Sequence, residues 1–216
     1  MARVIELNKS VTESNDRDAQ QLRDDLKEQG MLLINLMSSP GSGKTTLLSR
    51  TISDMKADTN IAVLEADIDS DVDAVKIENL GAEAIQVHTD GMCHMDAGMT
   101  RRGLEGMNLQ DTDLAFLENV GNLICPAEFD TGAHKNVMIL SVPEGDDKPL
   151  KYPLMFSMVD VLLITKIDTL EYFTFDIDLC KEHVKKLNKD IKIFPVSAKT
   201  GEGMDAWEAW LRDNLF

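Results

Sequence analysis

The sequence predicts a wound, mostly parallel α/β sheet with flanking helices, and three observations carry that expectation. Short apolar runs alternate with polar, amphipathic segments along the chain, with no internal repeat or low-complexity linker. The first run leads through a glycine-rich turn, Asn35-Leu36-Met37-Ser38-Ser39-Pro40-Gly41-Ser42-Gly43-Lys44-Thr45-Thr46, into a helix-compatible segment. Later runs end in acids or in Lys-x-Asp, at the strand ends where such sheets hold ligands.

Taken in order, residues 12–29 are polar and charged with Leu22 and Leu26 at i, i+4, which predicts a surface helix. It belongs to an N-terminal helical extension over residues 1–30, ahead of a single nucleotide-binding domain over residues 31–216. Strands are expected at Leu32–Met37, Ile61–Ala66, Ala84–Val87, Leu114–Glu118, Val137–Val142, Val161–Thr165 and Ile191–Val196, each a short apolar run. The amphipathic stretches between them predict helices at Thr45–Met55, Ser70–Leu80, Met95–Met107, Asp176–Leu187 and Met204–Leu215.

Composition narrows the function classes. With 216 residues and 43% hydrophobic content the chain buries one sizeable core. Its formal net charge of −16 repels nucleic-acid backbones and anionic membranes, so neither is expected as a partner. No apolar run approaches the roughly 20 residues of a membrane span, and Met1-Ala2-Arg3-Val4-Ile5-Glu6 lacks a signal-peptide core. A cytoplasmic location is expected. Cys93, Cys125 and Cys180 cannot form a disulfide framework, and in a cytosolic chain they point toward metal or redox chemistry.

The glycine-rich turn reads as a phosphate-binding P-loop. Gly41, Ser42, Gly43, Lys44, Thr45 and Thr46 let backbone N–H groups converge on phosphate oxygens at a helix start. Lys44 reaches the β and γ phosphates, and Thr45 ligates Mg²⁺. Ser38 stands where the motif has its first glycine, a small departure. Asp67 closes the second strand in an acidic stretch and is the expected Mg²⁺ or water-orienting carboxylate. Asp69, Asp71 and Asp73 read more simply as acids of the next helix's first turn. Glu118 ends the fourth strand with Gly121 three residues on, the pattern of a γ-phosphate-sensing loop whose acid approaches Mg²⁺.

Thr165-Lys166-Ile167-Asp168 resembles the guanine-recognition motif of GTPases. Asp168 accepts from the guanine N1–H and exocyclic amine, Lys166 lays its stem over the base, and Ser197-Ala198-Lys199 resembles the companion base loop. Thr165 replaces the usual Asn, an expected loss of an amide that ties this loop to the base and the P-loop. Gly91-Met92-Cys93-His94 and Cys125 offer thiolate and imidazole ligands suited to Zn²⁺ or Ni²⁺. Three donors imply an open site or one shared across a two-fold axis; buried inert cysteines are the competing reading. Cys180 reads as core. His88, His134 and His183 show no partnered pattern and read most simply as structural or exposed.

These stretches, with Glu118-Asn119-Val120-Gly121-Asn122-Leu123-Ile124-Cys125-Pro126 and Glu144-Gly145-Asp146-Asp147-Lys148-Pro149-Leu150-Lys151-Tyr152-Pro153, carry a resemblance over about Leu32 to Trp210. The chain resembles the HypB family of hydrogenase nickel-insertion GTPases, in the SIMIBI branch of P-loop GTPases. The resemblance implies a slow GTPase that binds GTP or GDP with Mg²⁺, forms a homodimer when GTP is bound, and carries an interfacial Ni²⁺ or Zn²⁺ site built from Cys93, His94 and Cys125. It implies delivery of nickel to a [NiFe]-hydrogenase large-subunit precursor, with the nickel- and zinc-binding protein HypA as partner. Residues 1–30 contain neither Cys nor His, so no N-terminal nickel tract is expected there. Lys148 and Lys151, in a Pro-bounded loop, are candidates to cross the interface, or are plain surface lysines.

Alternatives remain. Urease-type nickel GTPases resemble a Cys-Pro-His pattern, where this chain has Cys93-His94 without a proline and adds Cys125. A methylmalonyl-CoA mutase chaperone GTPase shares the fold but has no evident use for the Cys-His pair. A metal-binding scaffold with a non-catalytic nucleotide site is the alternative from another class.

Overall fold

The computed structural model describes residues 7–67, 76–89 and 91–216, with side chains from residue 13 onward apart from that of Asp67. Its elements in order are α1 (Leu7–Glu28), β1 (Leu32–Ser38), α2 (Lys44–Met55), β2 (Ile61–Asp67), β3 (Glu83–His88), α3 (Ala97–Glu105), β4 (Leu114–Glu118), β5 (Lys135–Ser141), α4 (Lys148–Lys151), α5 (Pro153–Met158), β6 (Val161–Thr165), α6 (Ile177–Leu187), β7 (Lys192–Pro195) and α7 (Met204–Asn214). The strands form one seven-stranded sheet in the order β3-β2-β4-β1-β5-β6-β7. Every pairing is parallel.

An all-parallel sheet needs both faces covered, and period-two alternation in the central strands supplies two apolar faces. One face, with Leu32, Ile34, Leu36, Phe116, Ile139 and Leu163, packs against Leu48 and Ile52 of α2 and Trp207 and Leu211 of α7. The buried Trp207 indole donates to Thr51 Oγ1 at 3.1 Å, pinning α7 to α2 without leaving its N–H unpaired. On the opposite face, Leu33, Leu64 and Leu117 meet Leu22 and Leu26 of α1 and Met99 and Leu104 of α3. Next to them, Met138, Leu140, Leu162 and Ile164 meet Met155 and Phe156 of α5 and Cys180 and Val184 of α6.

Helix starts account for most differences from the expected boundaries. The α3 helix begins at Ala97 and not Met95, because Asp96 caps it by accepting from Met99 N–H at 2.7 Å. This leaves Met95 in the preceding loop. The Pro-bounded stretch after β5 is not a loop but two short helices, α4 and α5, each with a proline in its first turn. Within the expected helix at Ser70–Leu80, residues 70–75 lie outside the described residues and 76–78 are helical. Among the described residues no helix is long and apolar enough to cross a membrane.

The α1 helix is fastened at several points. Arg23 donates from Nε to Ala133 O at 2.9 Å and forms an ion pair with Asp130 at 2.7 Å. His134 accepts at Nδ1 from Leu33 N–H at 3.0 Å and lies 2.9 Å through Nε2 from Arg23 O. His134 is therefore partnered on both ring nitrogens and bridges α1 to β1, a structural role its local sequence does not show.

Candidate functional site

The carboxyl ends of β1, β2 and β4 open onto a cavity of about 560 Å³. Gly41, Gly43, Lys44, Thr45 and Thr46 line it from one side and Glu118 and Gly121 from another, with Lys166 at its margin. The turn between β1 and α2 requires left-handed backbone, and glycine supplies it: Gly41 has φ 75 and Gly43, the residue before α2, has φ 99. Lys44 Nζ donates to Ser38 Oγ at 2.7 Å, so the serine at the first-glycine position also supports the lysine. Gly121 approaches Pro40 so closely that an added Cβ would lie 3.0 Å from the proline Cγ and 3.1 Å from its N. The loop after β4 and the phosphate loop are thus in contact. Asp67 ends β2, and its carboxylate lies outside the described residues, as do Asp69, Asp71 and Asp73.

Of the residues expected to recognise a base, Lys166 lines this cavity, whereas Asp168, Ser197 and Ala198 do not, and Asp168 and Ser197 form a separate hydrogen-bonded pair. Lys166 takes a left-handed conformation, φ 61, and its Nζ donates to Gly41 O at 2.7 Å. Ser197 Oγ donates to Asp168 Oδ1 at 2.7 Å and itself accepts from Thr200 N–H at 3.2 Å. Ser197 is fully buried, so the Asp168 carboxylate is held from beneath by the companion loop that also carries Ala198. Thr165 corrects one expectation. Its hydroxyl donates to Ser42 O at 2.9 Å, so the tie to the phosphate loop persists without an asparagine.

Two residues that the sequence reading did not single out sit among these. Glu65 of β2 is 3% exposed, pairs in register with Glu118 and lines the cavity. Asn119 follows Glu118, lines the cavity, and bonds through its carboxamide to Asn35 and to the loop carrying Cys93 and His94.

That loop lies between β3 and α3. Cys93 is exposed and Cys125 partly buried, at the start of a 3₁₀ turn, Cys125–Ala127, beyond the β4 loop. The two thiols interact: a hydrogen bond with Cys125, joined by some desolvation, pushes the Cys93 thiol above its ordinary range. The Cys93 sulfur lies 3.9 Å from His94 Nδ1. The His94 ring stacks flat on Phe129, centroids 3.8 Å apart, and burial pulls its pKa below the usual histidine value against the opposing charges of Asp96 and Glu128. Among the described residues, no group of three or more His, Cys, Asp or Glu side chains is arranged to hold a metal. Cys180, in contrast, is fully buried in α6, and burial pushes its thiol up to about 12. Lys148 lies over the Tyr152 ring at 5.4 Å and Lys151 pairs with Asp147, so within the single chain both engage their own segment.

The CobW/HypB/UreG nucleotide-binding domain matches residues 32–195, from the first strand to the last. The chain belongs to this family, in its HypB branch. The HypB hydrogenase maturation factor of Azotobacter chroococcum is 45% identical over 97% of this chain and 69% of its own length. The Escherichia coli K12 HypB is 44% identical over 97% of this chain and 72% of its own. Among solved structures, HypB from Helicobacter pylori in complex with nickel superposes with a TM-score of 0.87 at 37% identity, covering 93% of this chain and 94% of that one. HypB from Archaeoglobus fulgidus gives 0.86 at 36%, covering 93% and 98%. A signal recognition particle protein from Aeropyrum pernix shares the SIMIBI fold alone, at 14% identity and TM-score 0.58, over 84% of this chain and 48% of its own.

Proposed function

We propose that this HypB-family chain is a GTP-hydrolysing metallochaperone that delivers nickel during [NiFe]-hydrogenase maturation. The observation that carries the reading is the juxtaposition of Cys93 with Cys125, on the segment leaving the cavity just beyond Glu118 and Gly121. Soft donors adjoin a loop that meets the phosphate loop.

In this reading GTP lies with its phosphates on the Gly41–Thr46 turn. Backbone N–H groups and the α2 dipole face the phosphate charge, and Lys44, supported by Ser38, offsets the β and γ charges. Thr45 and Glu118 line one cavity and offer hard oxygens that fit Mg²⁺, with Asp67 as a further carboxylate candidate. Bound Mg²⁺ supplies charge neutralisation for the transferring phosphoryl group. Gly121 leaves room for the γ-phosphate beside Pro40, and Asp168, held by Ser197, selects guanine.

Nickel is cargo. Cys93, His94 and Cys125 of one subunit, with the same residues of a second copy, make the interfacial site, and GTP assembles the dimer. Loss of the γ-phosphate relaxes the loop that carries Cys125 and frees the ion. A HypA-type protein supplies nickel, the hydrogenase large-subunit precursor receives it, and the cycle runs in the cytoplasm. A second acceptor is favoured by one relative: the Helicobacter hepaticus protein, 42% identical over 93% of this chain, is a hydrogenase/urease maturation factor.

The deciding experiment is a nickel titration at saturating GDP and at a saturating non-hydrolysable GTP analogue. Nucleotide-dependent affinity at about half an ion per chain supports a shared, gated site. Superimposable curves in both nucleotides would remove it.

A further inference from the structure

We infer that Asn119 is a positioning residue that carries the state of the nucleotide cavity to the Cys93-His94 loop. The inference rests on the delivery reading above and names a contact through which its coupling runs.

Asn119 is 1% exposed and lines the cavity beside Glu118. Its carboxamide is engaged on both sides. The oxygen accepts from Met95 N–H at 3.3 Å and from Val120 N–H at 2.9 Å. The nitrogen donates to Asn35 Oδ1 at 3.0 Å, and Asn35 Nδ2 donates in turn to Asn136 Oδ1 at 2.9 Å. The result is a buried polar seam from β5 through β1 to the end of β4. A buried carboxamide bonded at both ends has one satisfied pose, and moving it leaves partners unpaired.

The far end of the seam is suited to transmit motion. Met95 directly follows His94, and its fully buried side chain packs in the cluster that contains Leu117 and Met99. At the near end, Asn119 N–H donates to Leu36 O at 3.0 Å, the last rung between β4 and β1 before the chain turns toward Gly121. A γ-phosphate that reorders the Glu118–Gly121 turn therefore acts on Asn119, and Asn119 acts on the Met95 amide. This route is separate from the one through Cys125, which lies further along the chain.

The test compares wild type, Asn119→Ala, Asn119→Ser and Asn136→Ala by nickel titration at saturating GDP and at a saturating non-hydrolysable GTP analogue. Deuterium exchange of the peptide containing Met95 is followed in nickel-free protein under both nucleotides. In wild type, nickel affinity and exchange both depend on nucleotide. In Asn119→Ala the ratio of the two nickel affinities collapses to within about twofold of unity, and exchange at Met95 becomes fast in either state. Asn136→Ala lowers the melting temperature but keeps the ratio. A wild-type ratio in Asn119→Ala would overturn the inference, as would an equal collapse in Asn136→Ala, which would make the seam merely structural. If Asn119→Ala does not fold, Asn119→Ser, too short to reach Met95, is held to the same two outcomes. A wild type without nucleotide dependence defeats the delivery reading itself; a coupled wild type with a coupled Asn119→Ala defeats this inference alone.

Discussion

The Thr165 hydroxyl donates to the Ser42 carbonyl at 2.9 Å, joining the end of β6 to the phosphate loop through a bond in which both residues are buried. Removing the donor leaves a buried carbonyl unpaired, at about 1–2 kcal/mol. Thr165→Val should therefore weaken GDP binding about tenfold, while Thr165→Ser, which keeps the hydroxyl, stays within about threefold. Displacement of a fluorescent GDP analogue measures both. Wild-type affinity in Thr165→Val would show that the tie is unimportant.

In the proposed function Asp168 selects the base, and one of its oxygens accepts from Ser197 at 2.7 Å. A carboxylate accepts from the two adjacent donors of guanine, whereas a carboxamide presents one donor and one acceptor. Asp168→Asn should lower guanine-nucleotide affinity by about 100-fold, each charge-assisted bond contributing about 1.5–3 kcal/mol, and raise affinity for xanthine nucleotides. Competition between GDP and XDP decides it. An unchanged preference would place the base elsewhere.

The α2–α7 contact predicts a pH dependence. Burial, and then a hydrogen bond with Asp54, push the Glu208 carboxyl up to about 7, against the attraction of Arg212 and Arg50. The folded-state pKa lies above the unfolded one, near 4.3, so the native state holds the extra proton between the two values. Stability from this group is thus fully present at low pH and is lost as pH rises toward 7. Glu208→Gln should raise the melting temperature at pH 8 relative to wild type, with the gain shrinking as pH falls toward about 4, below the unfolded-state pKa. A uniform shift at both pH values would contradict this.

The His134 bridge predicts the opposite slope. Its Nδ1 accepts from Leu33 N–H, so the bonded ring is neutral, and burial holds its pKa below the ordinary value. With the folded-state pKa depressed, stability is lost as pH falls below about 6.5. His134→Ala leaves Leu33 N–H and Arg23 O without their partner and should cost about 2 kcal/mol. Chemical denaturation gives the loss. Limited proteolysis would show cleavage beginning in α1; cleavage starting elsewhere would argue against its anchoring role.

Every strand was legible because each is a short apolar run closed by a polar turn, and a mostly parallel sheet follows from the helices between most of them; the strand order was not legible. The α4 and α5 helices were not, because Pro149 and Pro153 read as breakers when they stand in helical first turns. Cys93 and Cys125 could be named as candidate ligands from residue type, but their proximity depends on β4 bringing the second loop beside the first. The contacts of Asn119 with Met95 and of His134 with Arg23 join residues 24 and 111 positions apart, and no local pattern announces them. Thr165 shows a different limit: what reads as a missing amide retains one of that amide's bonds through a hydroxyl.

The strand order separates two specificities. The β5, β6 and β7 half holds Asp168 and Ser197, the proposed base contacts, and the β3, β2 and β4 half holds the Cys93-His94 loop, with β1 and its phosphate loop between. Residues that share no partners accumulate change nearly additively. Nucleotide choice and ligand choice can therefore diverge independently in descendants of such a chain, whereas changes along the strip from Asn136 through Asn35 to Asn119, which share hydrogen-bond partners, are not additive.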